Sequence, residues 1–209
     1  MQYAGKHPDQ PDRPAYFFAP IATIVASMKK AETVRISIAD VRPPSPLAHA
    51  LLALNNDHAQ ELSWLTPERL SHMAGQAFCA RRVGEVDAFL LAFDQGADYD
   101  SPNFLWFRQR YPRFVYIDRI VVAASARSGG LARLLYQTLF DEAAHGGHSC
   151  VVCEVNSDPP NPASDAFHTA LGFVQVGSAT IQGGGKTVRY LLRSLEGQAA
   201  LAGGSASTE

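Results

Sequence analysis

The chain has 209 residues, of which 46% are hydrophobic, and a formal net charge of −2 at pH 7. This length and hydrophobic content suffice for one globular domain whose core needs neither metals nor disulfides. The near-neutral charge gives no electrostatic case for nucleic acid or an anionic membrane, and no apolar run reaches the ~20 residues of a membrane span. The odd, sparse set of three cysteines is typical of a reducing compartment, so we expect a cytoplasmic protein.

Both ends of the chain differ in composition from its middle. Residues 1–32 contain an apolar run over 16–28, but acidic residues precede that run, whereas a signal peptide starts with basic residues. We therefore interpret 1–32 as an N-terminal extension that is partly disordered. The predicted domain spans 33–195, and the Gly, Ala and Ser content of 196–209 is typical of a disordered tail.

Periodicity and turn residues predict strands and helices throughout the domain. Pro43 and Pro44 end the first strand, and Thr66, followed by Pro67, is an expected helix N-cap. In chain order the predicted elements are a strand over 33–42, helices over 46–62 and from 66, a hairpin of strands over 78–83 and 86–93, a strand over 114–122, a helix over 130–144, a strand over 150–155, a helix over 162–171 and two strands flanking 183–185. This order, β-α-α-β-β-β-α-β-α-β-β, indicates an α/β (α+β) domain.

We predict the segment 94–112 to be irregular, because it is too long for a hairpin turn and polar in its first half. It combines three aspartates with several aromatic residues, and this mixture suits a cationic amine. Asp100 and Trp106 are therefore candidate substrate-binding residues. Alternatively, the aromatic residues pack onto the domain or onto a second subunit of a homodimer. For the residues Asn55–His58 there are likewise two interpretations: contact with the acceptor substrate, or capping of the helix end.

The stretch that follows the strand over 114–122 is the most informative for function. It reads Arg127-Ser-Gly-Gly-Leu-Ala-Arg133 and opens a helix. The first turn of a helix has N–H groups without intrahelical partners and the positive end of the helix dipole, so it can bind phosphate. Glycine at position 130 lets a ligand approach closely, although many strand-to-helix turns need a small residue for structural reasons.

This stretch resembles the acetyl-CoA loop of the GNAT N-acetyltransferase superfamily. The spacing Arg127-x-x-Gly130-x-Ala132 matches that family's [Gln/Arg]-x-x-Gly-x-[Gly/Ala], with a strand before it and a helix after it. A second block about thirty residues on is similar to the family's later strand and helix, where Asn-x(6)-Tyr-x(3)-Gly-Phe is usual. It consists of Cys153-Glu-Val-Asn156 and the run from Asn161 to Gly172-Phe173. The resemblance covers roughly 34–195.

The resemblance implies a GNAT fold with a mixed central sheet of about seven strands flanked by about four helices. It also implies an acyltransferase that moves the acetyl group of acetyl-CoA, its co-substrate, to a primary amine of a small molecule or a protein. Transfer is expected to be direct, within a ternary complex, and to need no metal. The alternatives are a non-catalytic acyl-CoA-binding sensor or an interaction module with the same fold.

The family's cofactor contacts are implied for three parts of this chain. In the resembled family the thioester carbonyl and the pantetheine pair with the strand before the loop, which here is the backbone of Ile120, Val121 and Val122. Asn161 precedes a proline and is a predicted N-cap, and the resemblance adds a pantetheine contact. The pyrophosphate would bind the loop residues Arg127, Ser128, Gly129, Gly130, Leu131, Ala132 and Arg133. Either arginine can instead be a solvated cation at the helix end.

His168 stands where the resembled family has the tyrosine that protonates the CoA sulfur. An imidazole with a pKa of about 6.5 can donate or accept a proton near neutral pH, whereas a phenol with a pKa of about 10 mainly donates. His168 is therefore the candidate general acid, and a structural histidine is the alternative.

Two carboxylates are candidates for the base that accepts the amine proton. Strand alternation predicts that Asp118 shares a face with Ile120 and with Tyr116, a candidate substrate contact. Glu154 lies at the end of the adjacent predicted strand, beside the point where the family's central strands splay apart. A carboxylate in such a cleft can have a raised pKa and relay a proton through water, so we favour Glu154. A buried ion pair, or water in place of a dedicated base, is the alternative.

Cys150 and Cys153 have the spacing of a redox or zinc pair. Residues three apart in a strand point to opposite faces, so we interpret both as buried thiols and predict no metal site.

Overall fold

A mixed sheet of seven strands forms the centre of the described part of the chain, which in this computed structural model comprises residues 31–158, 160–180 and 187–195. Its spatial order is β1-β2-β3-β4-β5-β7-β6, and every neighbouring pair is antiparallel except β4 and β5. The strands are β1 Thr33–Arg35, β2 Cys79–Val83, β3 Ala88–Asp94, β4 Phe114–Val122, β5 Cys150–Asp158, β6 Val174–Thr180 and β7 Thr187–Ser194. The expected extension, the turn at 183–185 and the expected tail lie outside the described residues, apart from the end of the extension at 31–32.

Helices cover both faces of this sheet. They are α1 Pro46–Asn56, α2 Ala59–Leu62, α3 Pro67–Gln76, α4 Pro102–Arg108, α5 Leu131–His145 and α6 Pro162–Ala170. The core on one face contains side chains of α1, α3 and α4, and the core on the other contains those of α5. The central strand β3 is apolar on both faces because it feeds both cores: Phe89 and Leu91 face the first, Leu90 and Ala92 the second. This layering matches the predicted fold class.

Several local predictions are confirmed. Thr66 caps α3 by accepting a hydrogen bond from the amide of Arg69. Strands β2 and β3 form the predicted hairpin, and β4 has the predicted bounds. Cys150 and Cys153 lie in the two different cores, so their side chains point to opposite faces of β5 as expected.

Three element predictions need correction. The strand predicted over 33–42 ends at Arg35, because the amide and hydroxyl of Ser37 both bond to Asp40 Oδ2 at 2.7 Å and turn the chain into a 3₁₀ helix over Ala39–Val41. The helix predicted over 46–62 is split into α1 and α2, and the amide side chain of Asn56 pairs with the backbone of Leu65 on the returning chain.

The segment 94–112 is not irregular throughout, because it contains α4. Phe104 and Phe107 of this helix are fully buried and pack against Phe114 and Tyr116 of β4. Their spacing of three residues places both rings on one helical face. Of the two interpretations of the aromatic residues, packing onto the domain therefore holds for these two.

The parallel strands β4 and β5 pair only at their beginnings. The paired residues run from Phe114 and Cys150 to Tyr116 and Val152, and the described strands diverge beyond that point. Asp118 is an extra residue in β4, because Ile117 and Arg119 pair with consecutive residues of β3. This bulge corrects the predicted face pattern: Tyr116 belongs to the core on one face, whereas Ile120 packs against the core on the other.

Candidate active site

A cleft of about 950 Å³ opens where β4 and β5 diverge. Its walls come from both strands, from the start of α5, from α6 and from the segments around α2 and α4. The residues predicted from the sequence that line it are Asp118, Ile120, Val121, Val122, Arg127, Ala132, Glu154, Asn161 and His168. The fold therefore brings together candidates that are up to fifty residues apart in the chain.

The cofactor half of the cleft combines an open strand edge with a helix start. Within the described strands, β4 beyond Tyr116 has no backbone pairing with β5, so its N–H and C=O groups there can bond to a ligand. The helix α5 begins at Leu131, after Gly130 in a left-handed conformation with φ of +74°. A Cβ atom at Gly130 would meet nothing within 4 Å, so glycine is favoured there by the backbone, and the space in front of it is open.

Arg127 is held by a residue from the other side of the cleft. Its Nη2 lies 3.1 Å from His58 Nε2, and His58 Nδ1 lies 3.1 Å from the carbonyl of Leu54. Because a carbonyl only accepts, Nδ1 carries the hydrogen and Nε2 accepts from Arg127. Of the residues Asn55–His58, His58 thus reaches the cleft, whereas the amide of Asn55 bonds to the backbone of Ser63.

Other loop and strand candidates occupy more peripheral places. Ser128, Gly129 and Gly130 are exposed next to the cleft mouth. Arg133 lies on a separate shallow groove together with Arg193. Asn161 is the N-cap of α6, with its Oδ1 accepting from the amide of Ser164 at 3.1 Å, which confirms the predicted structural role.

His168 is buried, and both of its ring nitrogens have partners. Nδ1 lies 2.7 Å from the carbonyl of Ser164, and Nε2 lies 2.8 Å from the hydroxyl of Tyr136. The carbonyl again requires the hydrogen on Nδ1, so Nε2 accepts a hydrogen bond from Tyr136. Burial lowers the pKa of His168, although Ser164 and Asp165 oppose this effect.

Glu154 is a buried carboxyl group with one satisfied and one unsatisfied oxygen. Oε1 accepts hydrogen bonds from Asn103 Nδ2 at 2.9 Å and from the Tyr116 hydroxyl at 3.0 Å. Oε2 is buried and has no hydrogen-bond partner among the described residues. Burial, with the negative charge of Asp118 as a further cause, raises the pKa of Glu154 to about 7. Tyr190 donates to Asn103 Oδ1 at 3.0 Å and so fixes the orientation of that amide.

Asp118 is also buried, but it is paired. Its Oδ2 lies 3.0 Å from Arg119 Nε, and its Oδ1 accepts a hydrogen bond from Tyr99. Burial raises the pKa of Asp118, and the guanidinium of Arg119 opposes that shift. The alternative interpretation of a buried ion pair therefore describes Asp118, whereas Oε2 of Glu154 has no such partner among the described residues.

The structure does not bring Asp100 and Trp106 into the cleft. Asp100 is exposed and forms an ion pair with Arg69 at 3.2 Å. The indole of Trp106 stacks on Tyr190 with ring centroids 4.3 Å apart. Tyr116 lies behind the cleft wall and touches it through its bond to Glu154.

Sequence reasoning did not single out Tyr99, Asn103 or Tyr136, which line the cleft. Tyr99 and Asn103 come from the segment 94–112, where the pair Ser101-Pro102 was an available signal for a helix start. Tyr136 lies on the inward face of α5, where an apolar periodicity hides the hydroxyl group.

Within the described ranges, no group of three His, Cys, Asp or Glu side chains is arranged to hold a metal ion. None of the helices in those ranges is long and apolar enough to cross a membrane.

Solved structures share the fold. The ribosomal-protein-S18-alanine N-acetyltransferase from Escherichia coli is 15% identical, with a TM-score of 0.56 over 79% of this chain and 94% of that one. An N-acetyltransferase from Staphylococcus aureus Mu50 is 19% identical, with a TM-score of 0.56 over 80% and 99%. The protein yncA from Salmonella typhimurium, solved with its cofactor acetyl-CoA, is 17% identical, with a TM-score of 0.58 over 86% and 98%. At these identities the likeness concerns the fold.

The sequence comparisons decide the family. No curated protein matches the chain. The sequence profile of the Acetyltransferase (GNAT) family matches residues 42–173, which is more than half of the chain and includes the loop, Glu154 and His168. The chain therefore belongs to the GNAT acetyltransferase family and is an N-acetyltransferase.

Proposed function

We propose that this N-acetyltransferase transfers the acetyl group of acetyl-CoA directly to a primary amine within a ternary complex. The observation that carries the proposal is the carboxyl group of Glu154, a residue that lines the cleft and whose buried Oε2 has no hydrogen-bond partner among the described residues. A neutral or cationic amine supplies the N–H donor that this oxygen lacks. With a pKa of about 7, the carboxylate can accept a proton from the amine near neutral pH.

Acetyl-CoA would bind in the cofactor half of the cleft. The amides at the start of α5, together with Arg127, would hold the pyrophosphate, with Ser128 to Arg133 forming the loop around it. The open edge of β4 at Ile120–Val122 would bond to the pantetheine and polarise the thioester carbonyl. Asn161 at the start of α6 would contact the pantetheine from the other wall.

The two proton transfers of the reaction are then assigned to two sets of residues. Glu154 accepts the amine proton. Asp118, which is paired with Arg119, does not serve as the base, but its negative charge adds to the burial that raises the pKa of Glu154. The proton that leaves with CoA comes from the hydrogen-bonded pair of His168 and Tyr136. Tyr116 and Asn103 hold the Glu154 carboxyl group in place.

We include both small amines and protein amines among the acceptors. One structural neighbour is named for acetylating an alanine of ribosomal protein S18. Leu62 of α2 and Asn103 of α4 line the cleft and would border the acceptor amine. We retain the cytoplasm as the proposed location, and a homodimer stays a prediction.

Release of free CoA tests the proposal. The protein is incubated with acetyl-CoA and a panel of primary amines, and the thiol is detected with a chromogenic disulfide. Amine-dependent thiol release supports the enzyme. Binding of acetyl-CoA by calorimetry without any release across the panel would instead indicate an acyl-CoA sensor, and no binding would indicate an interaction module.

A further inference from the structure

Tyr136 places a buried hydroxyl group at the wall of the cleft. Tyr136 is 1% exposed, and its ring packs edge-on against Phe140, Phe167 and Phe173. It lies one helical turn after Ala132, which lines the same cleft at the start of α5. A ligand held at that helix start and extending toward Glu154 therefore passes Tyr136.

The hydroxyl of Tyr136 lies at the tip of the His168 ring, 2.8 Å from Nε2. Histidine is shorter than tyrosine, so a tyrosine at 168 would carry its oxygen beyond the position of Nε2. Tyr136 thus supplies, from α5, a hydroxyl group close to the place where a tyrosine on α6 would put one. His168 lines the same cleft beside this hydroxyl group.

We propose that Tyr136 donates the proton to the departing CoA thiolate and that His168, whose Nε2 accepts from this hydroxyl group, holds it in place. This inference rests on the proposed acetyl transfer. Tyr136 is then a catalytic residue that contacts the sulfur. His168 acts through it as a positioning residue.

The proton balance of the step is complete. The amine nitrogen forms a bond to the thioester carbon, and its proton passes to Oε2 of Glu154. The C–S bond then breaks, its electron pair stays on sulfur, and the sulfur takes the hydroxyl proton of Tyr136. The Tyr136 oxygen then takes a proton from water. Water also removes the proton from Glu154, which leaves the amide and free CoA.

The surroundings of Tyr136 explain why its oxygen must take up a new proton after the first has passed to the sulfur. Burial raises the pKa of Tyr136 well above its usual value, and the neighbouring Glu154 adds to this effect, so a lasting tyrosinate is unfavourable. The groups around His168 are Tyr136 on α5, Ser164 and Asp165 on α6, and the ring of Phe173. Burial among them lowers the pKa of His168 and so favours the neutral ring, whose Nε2 accepts from Tyr136.

Replacing one hydroxyl group tests the proposal. We expect Tyr136→Phe to lower kcat roughly 10- to 1000-fold while acetyl-CoA affinity by calorimetry is retained, because general acid catalysis is typically worth 10²–10⁴. Thr138→Val is the matched control, since it removes a hydroxyl group of the same helix that bonds to the carbonyl of Leu134 at 3.0 Å. This control should keep the wild-type kcat.

The leaving group separates an acid role from a packing role. A more acidic thiol needs less help from a general acid as it departs. We therefore compare acetyl thioesters of an alkyl thiol and an aryl thiol. Tyr136→Phe should be strongly impaired with the alkyl thioester and much less with the aryl one. An equal loss with both would overturn the acid role.

Moving the hydroxyl group between helices provides a rescue. In the double variant Tyr136→Phe/His168→Tyr, the new phenol of α6 reaches the vacated place, so its kcat should exceed that of Tyr136→Phe. A Tyr136→Phe enzyme with wild-type kcat, or a double variant no better than the single one, would refute the proposal. If the wild type releases no CoA with any amine, the proposed function itself fails and this inference falls with it.

Discussion

The Tyr116 hydroxyl of β4 donates a hydrogen bond to Oε1 of Glu154 on β5 at 3.0 Å, just beyond the point where the two strands stop pairing. The last backbone pair joins Tyr116 to Val152, and Glu154 is the next residue of β5 on the same face. This side-chain contact bridges the strands across the base of the cleft. It fixes one oxygen of the carboxyl group, whereas Oε2 has no hydrogen-bond partner among the described residues.

Glu154→Gln should remove the base. Because Glu154 accepts a proton only when it is ionised, the wild-type kcat should rise with pH through about 7, the pKa of this group. The variant should lose roughly 10²- to 10⁴-fold in kcat and lose this pH-dependent rise. Glu85→Gln, which changes an exposed carboxylate, is the control. A Glu154→Gln enzyme that keeps the wild-type pH profile would assign the proton to water.

Tyr116→Phe should move the pH profile without abolishing turnover. The hydrogen bond from Tyr116 stabilises the ionised carboxylate and so lowers the pKa of Glu154. Its loss raises that pKa, and the rise in kcat should shift to higher pH while the plateau rate stays close to that of the wild type. The shift is measured from kcat between pH 5 and pH 9. A shift to lower pH would contradict the hydrogen-bond geometry.

Part of this site was accessible from the sequence because its signals are local. The loop at Arg127–Arg133 lies between a strand and a helix of clear periodicity. The proline after Asn161 predicts a helix start and so identifies Asn161 as the N-cap. The bulge at Asp118 carries no such signal, because a pairing irregularity depends on the register of β3. Tyr136 and His168 are thirty-two residues apart in the chain and lie on different helices. Their hydrogen bond therefore depends on how α5 and α6 pack, which no local signal in the sequence predicts.

Gly130→Asp should abolish acetyl-CoA binding and preserve the fold. A side chain there has open space, and both Asp and Asn tolerate a positive φ better than other residues do. The carboxylate would repel the pyrophosphate, whereas the nearly isosteric Gly130→Asn carries no charge. Calorimetry should show no binding to the first variant and weakened binding to the second. Equal affinities for the two variants would place the pyrophosphate elsewhere.

Asp100→Asn tests the segment that first suggested substrate binding. Asp100 is exposed outside the cleft, and its ion pair with Arg69 is of the surface type that contributes about 0.2–1 kcal/mol. We therefore expect KM values for the amine and for acetyl-CoA close to those of the wild type. A selective rise in the amine KM would return Asp100 to the acceptor site.

The last prediction concerns stability, where Glu154 and Asp118 should behave in opposite ways. The pKa of Glu154 is raised from its usual 4.5 to about 7, so the folded state binds more protons than the unfolded state in that range. Stability therefore falls as pH rises from 4.5 through 7, by about 3 kcal/mol, since one pKa unit corresponds to about 1.4 kcal/mol. Glu154→Gln removes the ionisation.

At pH 8 this variant should be more stable than the wild type, although it is the less active enzyme. At pH 5 the two should be nearly equal. Asp118→Asn provides the contrast, because it leaves the buried guanidinium of Arg119 without its carboxylate, and breaking a buried pair costs about 3–5 kcal/mol. Urea unfolding at both pH values measures these differences. A Glu154→Gln protein that is less stable than the wild type at pH 8 would mean that the buried carboxylate has a favourable partner in the folded protein, which would contradict its role as a base.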